Sequence, residues 1–371
     1  MNRPNEATLE PRRTEAADLV ARLVRPEIRT LSAYAVHKAE GMVKLDAMEN
    51  PHPLPSDVRT RLDAALAKIA VNRYPDGGAD ATRRALRRAL GVPAGHEVVL
   101  GNGSDELIQI IAATLARPGA TMLTPEPSFV MYRRSALFAG MRFVGVPLAA
   151  DFSLDLPAMR EAIERERPAL VFLAYPNNPT GNLFRARDVE AILEATPGLV
   201  VVDEAYHAFA EASFLPSIGR HPNLLVLRTL SKVGMAGLRL GYAVAAPEWI
   251  EEIDKVRPPY NVNALTQAAA VELLADTGWI AEQAQSIRSE RARLGAALGS
   301  LPGVSVYPSQ ANFLLIRVRD ANAAFAALER RRVLVKNVHG WHPLLANCLR
   351  ITVGTPEENE TLLAACTESC R

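Results

Sequence analysis

Cysteine is scarce in this chain: there are three in 371 residues, Cys348, Cys366 and Cys370, and only the last two lie close together. So sparse and odd a set in so long a chain argues against a disulfide framework. Excess charge of either sign is also missing. With 42 Lys+Arg against 41 Asp+Glu the formal net charge is +1, so no overall field draws the protein to nucleic acid or an anionic membrane. Small molecules are the expected partners, with no nucleic-acid or membrane partner. Long apolar runs are absent too, and nothing approaches the ~20 residues needed to span a bilayer. Residues 1–33 are polar, rich in Arg and Glu and interrupted by Pro4, Pro11 and Pro26, which leaves no apolar core for a signal peptide. A soluble cytoplasmic protein is expected.

What is there is ordinary globular material, 49% hydrophobic and 22% charged, without internal repeats or low-complexity tracts. After a polar arm (1–40), short apolar runs alternate with longer segments of helical period, an α/β pattern. The expected strands are 96–101, 121–124, 143–146, 169–174, 199–203, 224–228 and 241–245. Most are continuous runs of Val, Leu and Ala, which implies burial on both faces of a mostly parallel sheet. Stretches such as 106–115 and 186–194 suit crossover helices. Beyond about residue 260 the pattern changes to helices at 265–275 and 279–298, strand-like 312–318, helical 321–331, and strand-like 333–337 and 348–353. The expected organisation is a large domain over 41–264 and a smaller α+β domain over 265–371, with 41–60 a candidate to pack on the smaller one.

Ligands of open α/β sheets bind beyond the carboxyl ends of the strands, and four such ends carry polar clusters. One apolar run ends in Asp203–Glu204–Ala205–Tyr206; the plain alternative for its carboxylates is a helix cap or loop. The next leads into Thr229–Leu230–Ser231–Lys232 and on to Arg239. A lysine becomes a nucleophile only where its surroundings favour the neutral amine, which a cofactor cleft does. Upstream, Gly101–Asn102–Gly103–Ser104–Asp105–Glu106 is a glycine turn opening a helix. Backbone N–H groups there make an anion site, and capping by Ser104 is the competing explanation. The fourth cluster, Tyr175–Pro176–Asn177–Asn178–Pro179–Thr180–Gly181, is a turn that brings Asn178 to the same edge.

Together these motifs resemble the fold-type I pyridoxal-phosphate aminotransferases, from about Leu31 to the C-terminus. The resemblance implies pyridoxal 5'-phosphate held as a Schiff base on Lys232, which also moves protons during catalysis. It implies Asp203 at the pyridine nitrogen, Tyr206 and Asn178 at the phenolic oxygen, and Phe129 stacked on the ring, with core packing as the alternative for Phe129. For the phosphate it points to Gly103, Ser104, Asp105, Thr229, Ser231 and Arg239. Asp105 would serve through its backbone. Tyr74 matches a tyrosine that reaches the neighbouring subunit's cofactor, which implies a homodimer with shared active sites. The Lys232–Arg239 interval departs from most of the family by one residue.

Within that family, Leu31–Ser32–Ala33–Tyr34, Met48–Glu49–Asn50–Pro51 and Cys348–Leu349–Arg350–Ile351–Thr352–Val353–Gly354 resemble the histidinol-phosphate aminotransferases. This implies transfer of the amino group of glutamate to imidazole-acetol phosphate. Threonine-phosphate decarboxylases and aromatic aminotransferases of the same fold are the alternatives. Arg350 would hold the anionic substrate group as a bidentate fork. Lys336, where many relatives have arginine, would add a second charge for a phosphate, unless it is a solvated strand-end lysine. Tyr34 and Asn50 are candidates for lining the substrate pocket, although Asp46 and Met48 stand where asparagine is usual. His339 and His342 lie in a Gly- and Pro-containing loop with no third ligand evident, so no metal is expected.

Overall fold

The computed structural model describes residues 10–33 and 37–369, which leaves Tyr34 and Cys370 outside the described residues. The chain divides into two units, 1–38 and 39–371. In the first, Glu10–Leu23 and Pro26–Arg29 are helices, where the sequence reads as a polar arm. Pro26 opens the second at its first turn, the helical position that tolerates a missing N–H.

In the second unit seven strands form one sheet: β1 (Glu97–Asn102), β2 (Thr121–Glu126), β3 (Arg142–Pro147), β4 (Leu170–Ala174), β5 (Leu199–Asp203), β6 (Leu224–Thr229) and β7 (Leu240–Ala245). Their order is β1-β7-β6-β5-β4-β2-β3. The pairs from β3 through β6 are parallel, and β7 runs antiparallel to both β1 and β6. Every residue of β4, β5, β6 and β7 is buried. The reason for the continuous apolar runs is visible in β4 and β5. Val171, Leu173, Val200 and Val202 enter one core, while their neighbours Leu170, Phe172, Leu199 and Val201 enter another on the opposite face. Alternate side chains of a strand point to opposite faces, so a sheet covered on both sides has no polar face to show.

Further along the chain, β8 (Ser305–Val306), β9 (Phe313–Arg317), β10 (Lys336–Asn337) and β11 (Cys348–Thr352) form an antiparallel sheet in the order β10-β11-β9-β8. The run expected as a single strand at 333–337 is split between two sheets. Val333–Leu334 pairs in parallel with Val43–Lys44, and Lys336–Asn337 joins β11. Val333 and Val335 bury in the same core as Leu45 and Ile351, so side-chain burial continues while the backbone changes partner. Cys348 and Cys366 are both buried.

One ion pair lies under the sheet's carboxyl edge. Glu204, fully buried, accepts from Arg228 Nε at 3.0 Å and Nη2 at 2.8 Å. It also accepts from the Ser213 hydroxyl at 2.9 Å and the Phe214 N–H at 2.5 Å. With four donors the carboxylate is fully satisfied, which is the condition for tolerating a buried charge. The pair fixes the turn between Asp203 and Tyr206. Replacement of Arg228 by Met strands that carboxylate, and the expected cost is about 3–5 kcal/mol of unfolding free energy. Urea denaturation measures it, and Arg228→Met combined with Glu204→Gln should lose less than Arg228→Met alone.

Candidate active site

The polar clusters at the ends of β1, β4, β5 and β6 converge on one cavity of about 540 Å3. Its lining includes Ser104, Asp105, Asn178, Asp203, Tyr206, Thr229, Ser231, Lys232 and Arg239, together with Phe129. Sequence positions more than a hundred residues apart are brought together because parallel strands present all their carboxyl ends on one edge.

At one end of the cavity a helix, Ser104–Leu115, begins directly after β1. Its cap is Gly103 at φ 84, and no side chain caps it, so Ser104 does not cap the helix and its hydroxyl has no such duty. Glu106 instead accepts from the Asn102 N–H at 2.6 Å and the Asn261 amide at 2.6 Å. A Cβ at Gly103 would stand 2.5 Å from Arg239 Nη2, and one at Gly241 would stand 2.4 Å from the Ser104 nitrogen. Only glycine permits these close approaches. Arg239, itself left-handed at φ 51, donates to the Ser231 hydroxyl at 3.2 Å and lies 3.8 Å from the Asp105 carboxylate. Ser231 receives a further contact from the Thr229 hydroxyl at 3.0 Å. Free N–H groups at a helix start, two hydroxyls and a guanidinium suit a phosphate.

At the other end Asp203 is buried, accepting from the Tyr132 hydroxyl at 2.7 Å and the Ala205 N–H at 3.0 Å. Burial raises its pKa to about 6, against the opposing pull of the Tyr132 hydrogen bond. An ionised carboxylate held at the edge of its range suits a protonated ring nitrogen. Tyr132 is a functional residue that the sequence does not flag, since it reads as a core aromatic. It stacks on Phe172 at 4.6 Å and meets Phe129 edge-on at 5.6 Å. Its only signal is that a buried tyrosine hydroxyl needs a partner. An anion site and a buried carboxylate at opposite ends, with Phe129 alongside, fit a flat phosphorylated pyridine.

Between them stands Lys232, in a single wide helical turn, Ser231–Met235, kinked at Val233 and Gly234. Burial lowers its amine to about 8, with the Arg350 charge acting in the same direction. Its Nζ donates to the Ala47 carbonyl at 3.2 Å. Asn178 links two groups. Its amide nitrogen donates to the Tyr206 oxygen at 3.0 Å, and its carbonyl accepts from Arg350 Nη1 at 2.6 Å. The Tyr206 hydroxyl in turn donates to Met48 Sδ at 3.5 Å, and burial raises its pKa.

The remaining candidates lie further out. Lys336 sits opposite Arg350 in the β10–β11 register. Its pKa is lowered by burial and then by that guanidinium. Asn50 lies in an adjoining cleft that shares Ser231 with the main cavity, its amide donating to Gln283 at 2.8 Å. Tyr74 is 82% exposed and stacks on Tyr260 at 4.7 Å. The Nδ1 atoms of His339 and His342 accept backbone N–H bonds from Asn347 at 2.9 Å and Leu344 at 3.2 Å.

Two expected outcomes follow from the burial of these groups. Because the Lys232 amine is neutral only above its depressed pKa, the rate at which apoprotein captures pyridoxal phosphate should rise with pH and level off above about 8. Stopped-flow absorbance measures it. In Tyr132→Phe, Asp203 loses the bond that favours its charged form, so its pKa moves up from about 6. Cofactor affinity, followed by absorbance titration, should then fail at a higher pH on the acidic side than in wild type.

Comparison with known proteins agrees with the geometry. Residues 40–365 match the family model described as aminotransferase class I and II. A histidinol-phosphate aminotransferase of Chromobacterium violaceum is 57% identical over 93% of this chain and 97% of its own. Histidinol-phosphate aminotransferase 1 of Ralstonia nicotianae is 56% identical over 94% of each. Among solved structures, the histidinol-phosphate aminotransferase of Sinorhizobium meliloti in complex with pyridoxal-5'-phosphate superposes with a TM-score of 0.83. It is 29% identical and covers 93% of this chain and 97% of its own.

Proposed function

The chain belongs to the class I and II aminotransferases, and we propose that it transfers the amino group of glutamate to imidazole-acetol phosphate, giving L-histidinol phosphate and 2-oxoglutarate. The observation that carries this reading is the single cavity holding Lys232 between an anion site and Asp203, beside an arginine locked to Asn178. Pyridoxal 5'-phosphate, when bound, supplies an electron sink for the negative charge left when the substrate carbon loses its proton.

The protein's own groups divide the remaining work. Lys232 would move the proton from the substrate's α-carbon to the cofactor's C4′ carbon, a role that its displaced pKa suits near neutral pH. Asp203 holds the proton of the ring nitrogen. Tyr206 and Asn178 orient the phenolic oxygen, and Phe129 covers the ring. The backbone of Gly103, Ser104 and Asp105, with Thr229, Ser231 and Arg239, anchors the phosphate. Arg350 takes the α-carboxylate of glutamate and then the phosphate of the second substrate, and Lys336 adds its charge for the more highly charged group. Asn50, in the adjoining cleft, lines the outer part of the substrate pocket.

The same reading extends to assembly. The exposure of Tyr74 and its stack on Tyr260 support the inference of a homodimer that shares its active sites. Among the described residues no helix is long and apolar enough to cross a membrane, and a cytoplasmic enzyme is the reading we favour. We divide the chain into an arm (1–40), a large domain (41–264) and a small domain (265–371), with 41–60 packed on the last. Neither the decarboxylase nor the aromatic aminotransferase is favoured, because relatives at 51–57% identity carry the histidinol-phosphate name.

Glutamate and histidinol phosphate should each, in separate single-turnover reactions, shift the visible absorbance of the bound cofactor. If neither does, or if threonine phosphate releases carbon dioxide instead, the reading fails. Arg350→Met should lower kcat/KM for both substrates about 100-fold, the scale of losing a charge-paired fork. Lys336→Ala should weaken the phosphate substrate about ten-fold while leaving glutamate within about two-fold.

A further inference from the structure

Residues 45–48 form a strap that touches the catalytic groups on one side and β11 on the other. On the catalytic side, the Ala47 carbonyl accepts from Lys232 Nζ at 3.2 Å, and Met48 Sδ accepts from the Tyr206 hydroxyl at 3.5 Å. On the other side β11 grips the strap at three points. The Thr352 N–H donates to the Leu45 carbonyl at 2.9 Å. The Thr352 hydroxyl oxygen accepts from the Met48 N–H at 2.9 Å. Arg350 Nη2 donates to the Asp46 carbonyl at 2.9 Å. A fourth clamp comes from Asn312, fully buried, whose amide donates to the Met48 carbonyl at 2.9 Å.

These clamps hold Met48 at φ 54, a left-handed conformation that a side chain other than glycine rarely adopts. Such strain persists only where the surroundings over-determine it, and here both backbone polar groups of Met48 are tied to buried side chains. The consequence lies one residue earlier. With Met48 fixed, the Ala47 carbonyl is fixed, and with it the direction in which the Lys232 amine donates. An amine that donates an N–H to a carbonyl keeps its lone pair directed away from that bond, free to accept a proton.

We propose that Thr352 is a positioning residue for the transamination: its hydroxyl oxygen, by accepting from the Met48 N–H, sets the strap that orients the Lys232 amine for proton transfer. Arg350 and Thr352 stand two residues apart on one strand and face the same strap, so the anion fork and the proton-transferring lysine are referenced to one piece of backbone. A displacement of about 1 Å at a proton-transferring group is enough to cost up to about 100-fold in rate. The inference rests on the transaminase reading for its kinetic test and on Lys232 alone for its second test.

The experiment compares Thr352→Val, which keeps the shape and removes the hydroxyl, with Thr352→Ser, which keeps the hydroxyl. In holoenzyme with α-deuterated glutamate, Thr352→Val should lower kcat about ten-fold or more. Its primary isotope effect should rise as proton transfer becomes the slow step. Thr352→Ser should recover both quantities to within about two-fold. Asn312→Ala, which releases the Met48 carbonyl, should reproduce the Thr352→Val pattern and provides the test if that variant folds poorly. Equal losses in Thr352→Val and Thr352→Ser, or a loss in Thr352→Val with an unchanged isotope effect, overturn the proposal, since either would mean that Thr352 only fills space. Should wild type transaminate neither substrate, the functional reading falls. The same variants are then compared in capture of pyridoxal phosphate by apoprotein at pH 8. Slower capture in Thr352→Val, restored in Thr352→Ser, supports the strap, and identical capture overturns it.

Discussion

The site depends on a carboxylate kept charged where burial would neutralise it. Asp203 ends a strand whose residues are all buried, and desolvation alone favours its protonated form. Two donors oppose this, the Tyr132 hydroxyl and the Ala205 N–H. Both are fixed by other constraints: Tyr132 by its stack on Phe172, and Ala205 by a turn that the Glu204–Arg228 pair ties to β6. The ion pair under the sheet edge is therefore part of the machinery. It secures the turn that follows Asp203 and carries Tyr206.

Burial acts on the opposite charge in the opposite sense. The same low-dielectric edge that lifts Asp203 to about 6 lowers Lys232 to about 8. One environment thus shifts both groups towards neutrality: for Lys232, the proposed proton carrier, the shift suits general acid–base chemistry near pH 7, while the two donors to Asp203 keep its charge. Arg350 adds to the depression of Lys232 and also holds Asn178, which contacts Tyr206. An anion arriving at Arg350 is felt at the lysine through charge and at Tyr206 through a hydrogen-bonded chain.

Much of this was legible in the sequence, for reasons that can be stated. The buried strands β4 to β7 announce themselves because a sheet covered on both faces needs continuous apolar runs, and the polar clusters at their ends are conspicuous against those runs. The residues that escaped notice are those whose role depends on what lies across the fold. Tyr132 looks like packing until Asp203 is seen beside it. Met48 looks like a departure from a motif, and its left-handed backbone is set by Thr352 and Asn312, about 300 and 260 residues further along the chain. The strand split at Val335 is hidden because the burial pattern continues through the change of partner. The rival reading of Ser104 as a helix cap fails because the cap position falls on Gly103, where Arg239 comes too close for a side chain.

The pairing of Lys336 with Arg350 bears on how one site serves two substrates. Adjacent like charges on neighbouring strands repel, and this repulsion adds to burial in depressing the pKa of Lys336. A single carboxylate is matched by the guanidinium fork alone. A phosphate, with about two negative charges and more acceptor oxygens, has use for both cations and offsets their repulsion. On this reading the cost of the pair falls on the resting enzyme, and its benefit goes to the phosphorylated substrate. Lysine in place of a second arginine adds charge without a second fork, so the planar geometry that glutamate also needs stays with Arg350, which the strap and Asn178 hold in place.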